Sequence, residues 1–353
     1  FKIDVILYYH NFLANIMIYH FMKRFLIYII SKIYSKFIIL NLYFLNLDKR
    51  KKYFYNHSIG FGDSFDYYLD NYYKILNNPN ILPLSFGSFN HETIVFFFKD
   101  DKKILFSIPS FFPFYSIMNE VKKSSQFKPI ISYNLDSQHL MQDEFLGLRN
   151  KDTKKIMIEK LDKYNIEGNI KNLCKKKYIC LFIKYYNNNI NDISNGSIIR
   201  QTTNFKKIIK IIKYLDTKKI HTIVIGDRHD KGALILKKLI KRSTFLLDHD
   251  VSFSDQIYVA KNSIGYIGSS GGTYFPFFYL KKKVLCFDTW LIPTSKRADK
   301  YKNLLNLYKK IYINKNFQTL SYQNWKISNT KNFFILENSF QEIKNAINNF
   351  LLK

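Results

Sequence analysis

Gly265-Tyr-Ile-Gly-Ser-Ser-Gly-Gly-Thr-Tyr-Phe-Pro-Phe-Phe-Tyr-Leu-Lys-Lys-Lys-Val-Leu-Cys-Phe-Asp288 decides how the rest of the chain is read. A short apolar run passes through Gly268-Ser269-Ser270-Gly271-Gly272-Thr273 into an aromatic stretch, and a second apolar run from Val284 to Phe287 closes on Asp288. That order predicts a strand, a small-residue turn, a helix and a further strand. A turn of this kind leaves backbone N–H groups free at the positive end of a helix dipole. Here they stand beside the hydroxyls of Ser269, Ser270 and Thr273, so Ser269, Ser270, Gly271, Gly272 and Thr273 are candidates to seat a phosphate. The plainer reading is a tight turn whose glycines supply unusual backbone angles.

Upstream, the same alternation repeats. Strands are predicted at Tyr178–Lys184, Ile220–Gly226 and Thr244–Leu247, and helices over Thr203–Leu215, Lys231–Lys241 and Ser254–Ala260. Five strands alternating with helices predict a parallel, Rossmann-like sheet, in which ligands sit beyond the carboxyl ends of the strands. Lys184, Gly226, Asp227, Asp248 and Ser269 fall at those ends. Asp248-His-Asp250 also has the spacing of a metal-binding carboxylate pair, but its place after a third Rossmann-like strand argues against a metal, and none is expected.

In the first half, Tyr53 to Asp66 again reads as strand, glycine turn and helix, the helix running through Leu76, with Gly60 and Gly62 in the turn. Asp63 stands at the helix start, where it reads either as a cap or as a carboxylate able to accept a proton. Strand-like runs are predicted at Thr93–Phe98, Ile104–Ile108 and Pro129–Tyr133, with helices at Phe114–Lys123 and Lys155–Tyr164. His139, Asp143 and Glu144 read as loop residues, either lining a site or, more simply, solvated. The polar stretch Asn165–Lys177 marks a domain boundary, giving lobes over residues 53–170 and 171–330 and a closing segment, 331–353, whose helix is expected to pack back on the first lobe.

Residues 1–52 form a separate zone. Arg24, Tyr28, Ser31, Lys32, Ser35 and Lys36 share one arc of a helix, while Ile27, Ile29, Ile30, Ile33 and Phe37 share the other. The run Lys49-Arg50-Lys51-Lys52 follows. A helix of this pattern suits an anionic membrane surface, and equally suits packing on the domain behind it. His10, Asn11, Asn15 and His20 make the preceding apolar run a poor membrane span.

The chain of 353 residues carries 55 Lys and Arg against 27 Asp and Glu, a formal charge of +28, with 47% hydrophobic residues. That hydrophobic content excludes wholesale disorder, and the charge favours anionic partners. Arginine is scarce and the aromatics sit in apolar runs, which argues against a nucleic-acid partner. Cys174, Cys180 and Cys286 form no C-x-x-C pair and read as reduced core residues of a cytosolic protein.

The order and spacing of these features resemble a family of bacterial GT-B-type glycosyltransferases of surface-polysaccharide gene clusters and, more distantly, the heptosyltransferases, over roughly residues 55–325. The matching features are Cys180-Leu-Phe-Ile-Lys184, Asp192, Arg200-Gln201, Ile225-Gly226-Asp227, Asp248 to Asp255, Gly268-Ser269-Ser270-Gly271, Asp288-Thr-Trp-Leu-Ile-Pro293 and Leu320-Ser-Tyr-Gln. Lys184 stands where the family usually has Arg, and Gln201 where it has Asn. The resemblance implies two Rossmann-like lobes facing a cleft and sugar transfer from a nucleotide-sugar donor to a glycan or lipid-linked acceptor hydroxyl, without a cofactor. It further implies donor contacts from Lys184, Arg200, Asp227 and the Ser269–Thr273 turn, with Asp63 as base. A non-catalytic nucleotide-sugar binder and a basic protein of nucleic acid or anionic membranes are the competing classes.

Overall fold

The computed structural model describes residues 52–55, 72–79, 81–86, 88–98, 106–108, 152–185, 202–226, 230–241, 243–289, 304–308, 310–313, 316–318 and 333–352. It also describes positions 25, 26, 28–30, 32, 33, 36, 65, 68 and 69. The chain forms two compact units: residues 1–59 with 71–133, and residues 60–70 with 134–353. The polar stretch read as a boundary therefore lies inside the second unit. There it carries a short helix, α4 (Gly168–Leu173), behind α3 (Thr153–Leu161).

In the first unit, β1 (Lys52–Tyr55), β2 (Ile81–Phe86) and β3 (Phe106–Ile108) make a parallel sheet with β2 in the middle. Helix α1 spans Tyr72–Leu76. The run Thr93–Phe98, expected as a strand, is the end of helix α2 (Ser88–Phe98). From Ile94 to Phe98 this helix is wholly apolar, and Thr93, Ile94 and Phe96 to Phe98 are all buried, with Glu92 exposed. A helix end buried over most of its circumference has little amphipathic period to separate it from a buried strand. The expected elements at 114–123 and 129–133, with His139, Asp143 and Glu144, lie outside the described residues.

The second unit is built on six parallel strands: β4 (Tyr178–Phe182), β5 (His221–Val224), β6 (Thr244–Phe245), β7 (Gly265–Ser269), β8 (Lys283–Thr289) and β9 (Leu304–Tyr308). They lie in the order β6-β5-β4-β7-β8-β9. Counted from β4 this is 3-2-1-4-5-6, the doubly wound Rossmann order, with its switch point between β4 and β7. The fold is thus α/β with a parallel Rossmann-like sheet. β9 is one strand more than the sequence reading provides.

Helices α5 (Phe205–Thr217), α6 (Lys231–Leu239), α7 (Phe253–Asn262) and α8 (Phe275–Tyr279) connect these strands. In α5, Ile208, Ile211, Ile212 and Leu215 recur at helical spacing and enter the core against Ile179, Leu181, Ile267 and Leu285. A separate antiparallel sheet of β10 (Lys310–Ile313), β11 (Asn316–Gln318) and β12 (Phe333–Leu336) precedes the last helix, α9 (Phe340–Leu352). Helix α9, which the sequence reading expects on the first lobe, carries its apolar stripe into the second unit. Ile343, Ala346, Ile347 and Phe350 bury into the second unit's own core, against α5 and β8. That stripe fits the open flank of the sheet beside α5, where burying four apolar side chains is worth several kcal/mol at roughly 1.5–3 each for the larger ones.

At the start of β5, His221 Nε2 lies 2.7 Å from Thr244 Oγ1 of β6. Burial, aided by Lys176 and opposed by Asp216, holds this imidazole below its ordinary pKa. The folded protein therefore binds the proton less readily than the unfolded chain. Stability is complete above the unfolded value of about 6.5, declines as pH falls below it, and levels off below the folded value. Urea midpoints measured from pH 7.5 down to pH 5 should show a smaller acid-side loss in His221→Gln than in the parent. Equal losses in both would remove His221 as the cause.

Candidate functional site at the sheet switch point

The carboxyl ends of β4 and β7 converge where a doubly wound sheet opens its crevice. Two of the predicted residues meet there: the backbone N–H of Lys184 donates to Ser269 Oγ at 3.0 Å. Ser269 is fully buried, and its hydroxyl also lies 3.2 Å from Thr202 Oγ1. Its side chain is therefore committed to joining the two strands and is not presented to a ligand as the sequence reading expected. The exposed part of the loop begins one residue later, with Ser270, Gly271, Gly272 and Thr273 all half-buried.

Tyr266, which the sequence reading did not single out, fixes the loop from below. It is wholly buried, donates to the Ser269 carbonyl at 2.6 Å, and lies 3.4 Å from Thr273 Oγ1. Burial raises its pKa well above the phenol's ordinary value, so it remains a donor. The loop then enters a 3₁₀ turn at Gly272–Tyr274 before α8, which has only five residues. The predicted helix start is thus real but short, and its dipole is correspondingly weak.

The glycines divide by role. A Cβ on Gly268 would fall 2.1 Å from the Phe182 carbonyl oxygen, so close backbone approach requires glycine there. Gly226 adopts φ +144°, ending β5 in a turn against the Asp230 side chain, which caps α6 by accepting from Ala233 N at 3.0 Å. Gly271 is backbone-extended, and a Cβ there would meet nothing within 4 Å.

Beneath the crevice lies a buried ion network. Lys207, in the first turn of α5, donates to Asp288 Oδ2 at 2.8 Å, Glu337 Oε2 at 2.9 Å and the Asn338 carbonyl at 2.9 Å. The side chains of Lys207 and Asp288 are 4% and 0% exposed. Asp288 takes a left-handed backbone, φ 54°, at the end of β8. It accepts from Thr202 Oγ1 at 2.9 Å and Asn338 N at 2.7 Å, and its own N–H donates to Asn338 Oδ1 at 2.6 Å. Glu337 accepts from Thr203 N at 2.5 Å, Thr203 Oγ1 at 2.9 Å and Asn204 N at 3.3 Å. A protein carboxylate thereby occupies the N-terminus of α5, a position that attracts anions. The sequence reading identified Asp288 but not Lys207, Thr202, Glu337 or Asn338. The available signal was Lys207 itself, a charge in line with Ile211 and Leu215 on the buried stripe of α5.

Asp248 pairs with Lys237 at the surface. Ser252 and Asp255 form a capping box on α7. Among the described residues, no group of three or more His, Cys, Asp and Glu side chains is placed to hold a metal ion. All three cysteines are free thiols, and burial raises the pKa of each. Gly60, Gly62, Asp63, Asp192, Arg200, Gln201, Asp227 and the segments 290–293 and 320–323 lie outside the described residues. Phe65, two residues after Asp63, is buried in the second unit, its ring 6.0 Å from that of Phe253 and 6.1 Å from that of Tyr279 at the end of α8.

No family model matches the sequence, and no curated protein matches it. Among solved structures, the chain is similar to E. coli ADP-heptose LPS heptosyltransferase II, with 9% identity and a TM-score of 0.48 over 85% of this chain and 98% of that one. It is also similar to the glycosyl transferase family 9 structure from Veillonella parvula, with 8% identity and a TM-score of 0.42 over 73% of this chain and 86% of that one. A third is the UDP-GlcNAc 2-epimerase of Methanocaldococcus jannaschii in complex with UDP-GlcNAc and UDP, with 12% identity and a TM-score of 0.32 over 84% of this chain and 83% of that one. Heptosyltransferases, which the motif order resembles, are thus among the solved structures to which this chain is similar.

Proposed function

We propose that the chain is a glycosyltransferase that binds a nucleotide-sugar donor at the β4–β7 switch point and moves its sugar to an acceptor hydroxyl. The observation that carries this reading is the seating of the half-buried Ser270–Thr273 loop on the Lys184–Ser269 junction, where a doubly wound sheet takes its ligand. The motif order that resembles glycosyltransferases runs through the same residues. In this reading backbone amides of the loop, with Lys184 and Arg200, balance the diphosphate charge that develops as the donor bond breaks. In the same reading Gly226 and Asp227 contribute donor contacts after β5, and Ser269 positions the loop. Asp63 takes the acceptor proton, and direct displacement inverts the anomeric centre. Because basic residues and amides carry the charge, transfer should persist in EDTA.

The test is thermal shift of the full chain against nucleoside diphosphates and nucleotide sugars, beginning with the ADP and UDP series. One nucleotide class should stabilise the protein by about 2.7 kcal/mol at a hundredfold excess over Kd. Gly271→Trp fills open space, so it should keep the parental melting temperature and lose that stabilisation. Asp63→Asn should keep the donor shift while transfer falls by about 10²–10⁴-fold. If no nucleotide shifts the parent, the donor reading fails. If Asp63→Asn transfers normally, the assignment of the base fails.

A further inference from the structure

We propose that the helical positions Phe25, Leu26, Tyr28, Ile29, Ile30, Lys32, Ile33 and Lys36 dock the protein on an anionic lipid surface. Phe25, Leu26, Tyr28, Ile29, Ile30, Lys32, Ile33 and Lys36 are all helical and all exposed. Half of the large apolar side chains exposed among the described residues belong to this one segment, with Leu26 at 59% and Ile33 at 65%. The apolar face that would serve equally for packing on the domain behind it is therefore left uncovered, which is the signature of an interaction surface.

Leu26, Ile29, Ile30 and Ile33 share one arc of the helix, with Tyr28, Lys32 and Lys36 on its flank. Lys32 Nζ sits 4.7 Å from the Tyr28 ring centroid, which holds a cation beside an aromatic at the polar–apolar border. That combination fits the headgroup boundary of a bilayer, where aliphatic side chains enter the acyl region and lysines meet lipid phosphates. A second copy of the chain would bring Lys32 and Lys36 against like charge on a body already carrying +28. Nucleic acid would satisfy the lysines and leave the aliphatic arc in water. No helix among the described residues is long and apolar enough to cross a membrane. This inference is independent of the donor reading.

Co-sedimentation of the full chain with lipid vesicles tests it. The protein should pellet with phosphatidylcholine vesicles containing phosphatidylglycerol and stay in solution with phosphatidylcholine alone, and added salt should release it. Leu26→Glu and Ile33→Glu should each weaken partitioning about tenfold or more. Lys32→Gln and Lys36→Gln should each weaken it about fivefold. All four sites are exposed, so unchanged melting temperatures and unchanged nucleotide shifts should accompany these losses. Equal binding to both vesicle types, or full binding by Ile33→Glu, overturns the proposal. So does an Ile33→Glu variant that turns a dimer into a monomer on gel filtration while still pelleting like the parent.

Discussion

Lys207→Met should lower the unfolding free energy by about 3–5 kcal/mol, a large share of the roughly 5–15 kcal/mol that holds a typical domain together. The methionine preserves volume and helix propensity, so the loss isolates the charge. Asp288 is fully buried and would lose the lysine ammonium beside its carboxylate, to which Thr202 and Asn338 also donate. A buried ion left without its counterion costs far more than the pair ever contributed. Lys207→Met combined with Asp288→Asn should therefore recover part of the loss, because two charges leave the interior together. Guanidinium unfolding of the parent, both single variants and the double variant measures the coupling. A Lys207→Met protein within about 1 kcal/mol of the parent would show that the network does not stabilise the unit.

The second large effect is expected at Gly268. Alanine there puts a methyl group 2.1 Å from the Phe182 carbonyl oxygen and 2.9 Å from the Phe182 nitrogen, both backbone atoms of the paired strand. No rotamer relieves that contact, so β4 and β7 must separate at the last of their register pairs, Phe182 with Gly268. A cost of about 1–3 kcal/mol or more follows. The adjoining Lys184–Ser269 hydrogen bond carries the displacement into the loop, so nucleotide stabilisation should vanish as well. Gly271→Ala is the control, with its Cβ in open space and a stability change within about 0.5 kcal/mol. If the two alanine variants behave alike in thermal melts, close packing at the switch point is not what positions the loop.

The second unit was largely legible because β4, β5, β7 and β8 are apolar runs separated by amphipathic helices, a pattern that parallel sheets impose. Lys184 and Ser269 were brought together by topology alone, since both end strands that flank the switch point. Edge and context-dependent elements were not legible. β9 is interrupted by Asn306 and exposes Leu305 at the sheet margin, so it lacks the continuous run of a buried strand. β2 carries Pro83 in the middle of a sheet, which argues against a strand in any local reading. Helix α2 showed the converse, as its β-branched and aromatic end, buried over most of its circumference, reads locally as a strand. The burial of Ser269 could not be foreseen either, since the same residues describe an exposed turn and one anchored from beneath.

Glu337, Asn338 and helix α9 also set an order of events during synthesis. Lys207, Asp288 and the N-terminus of α5 emerge from the ribosome well before the residues that neutralise and cap them. Until positions 337 to 352 have cleared the exit tunnel, the nascent unit holds a lysine with an incomplete shell and a sheet flank without its last helix. The core of this unit therefore closes only once positions 337 to 352 have emerged, and the unfinished sheet is until then a surface for which chaperones compete.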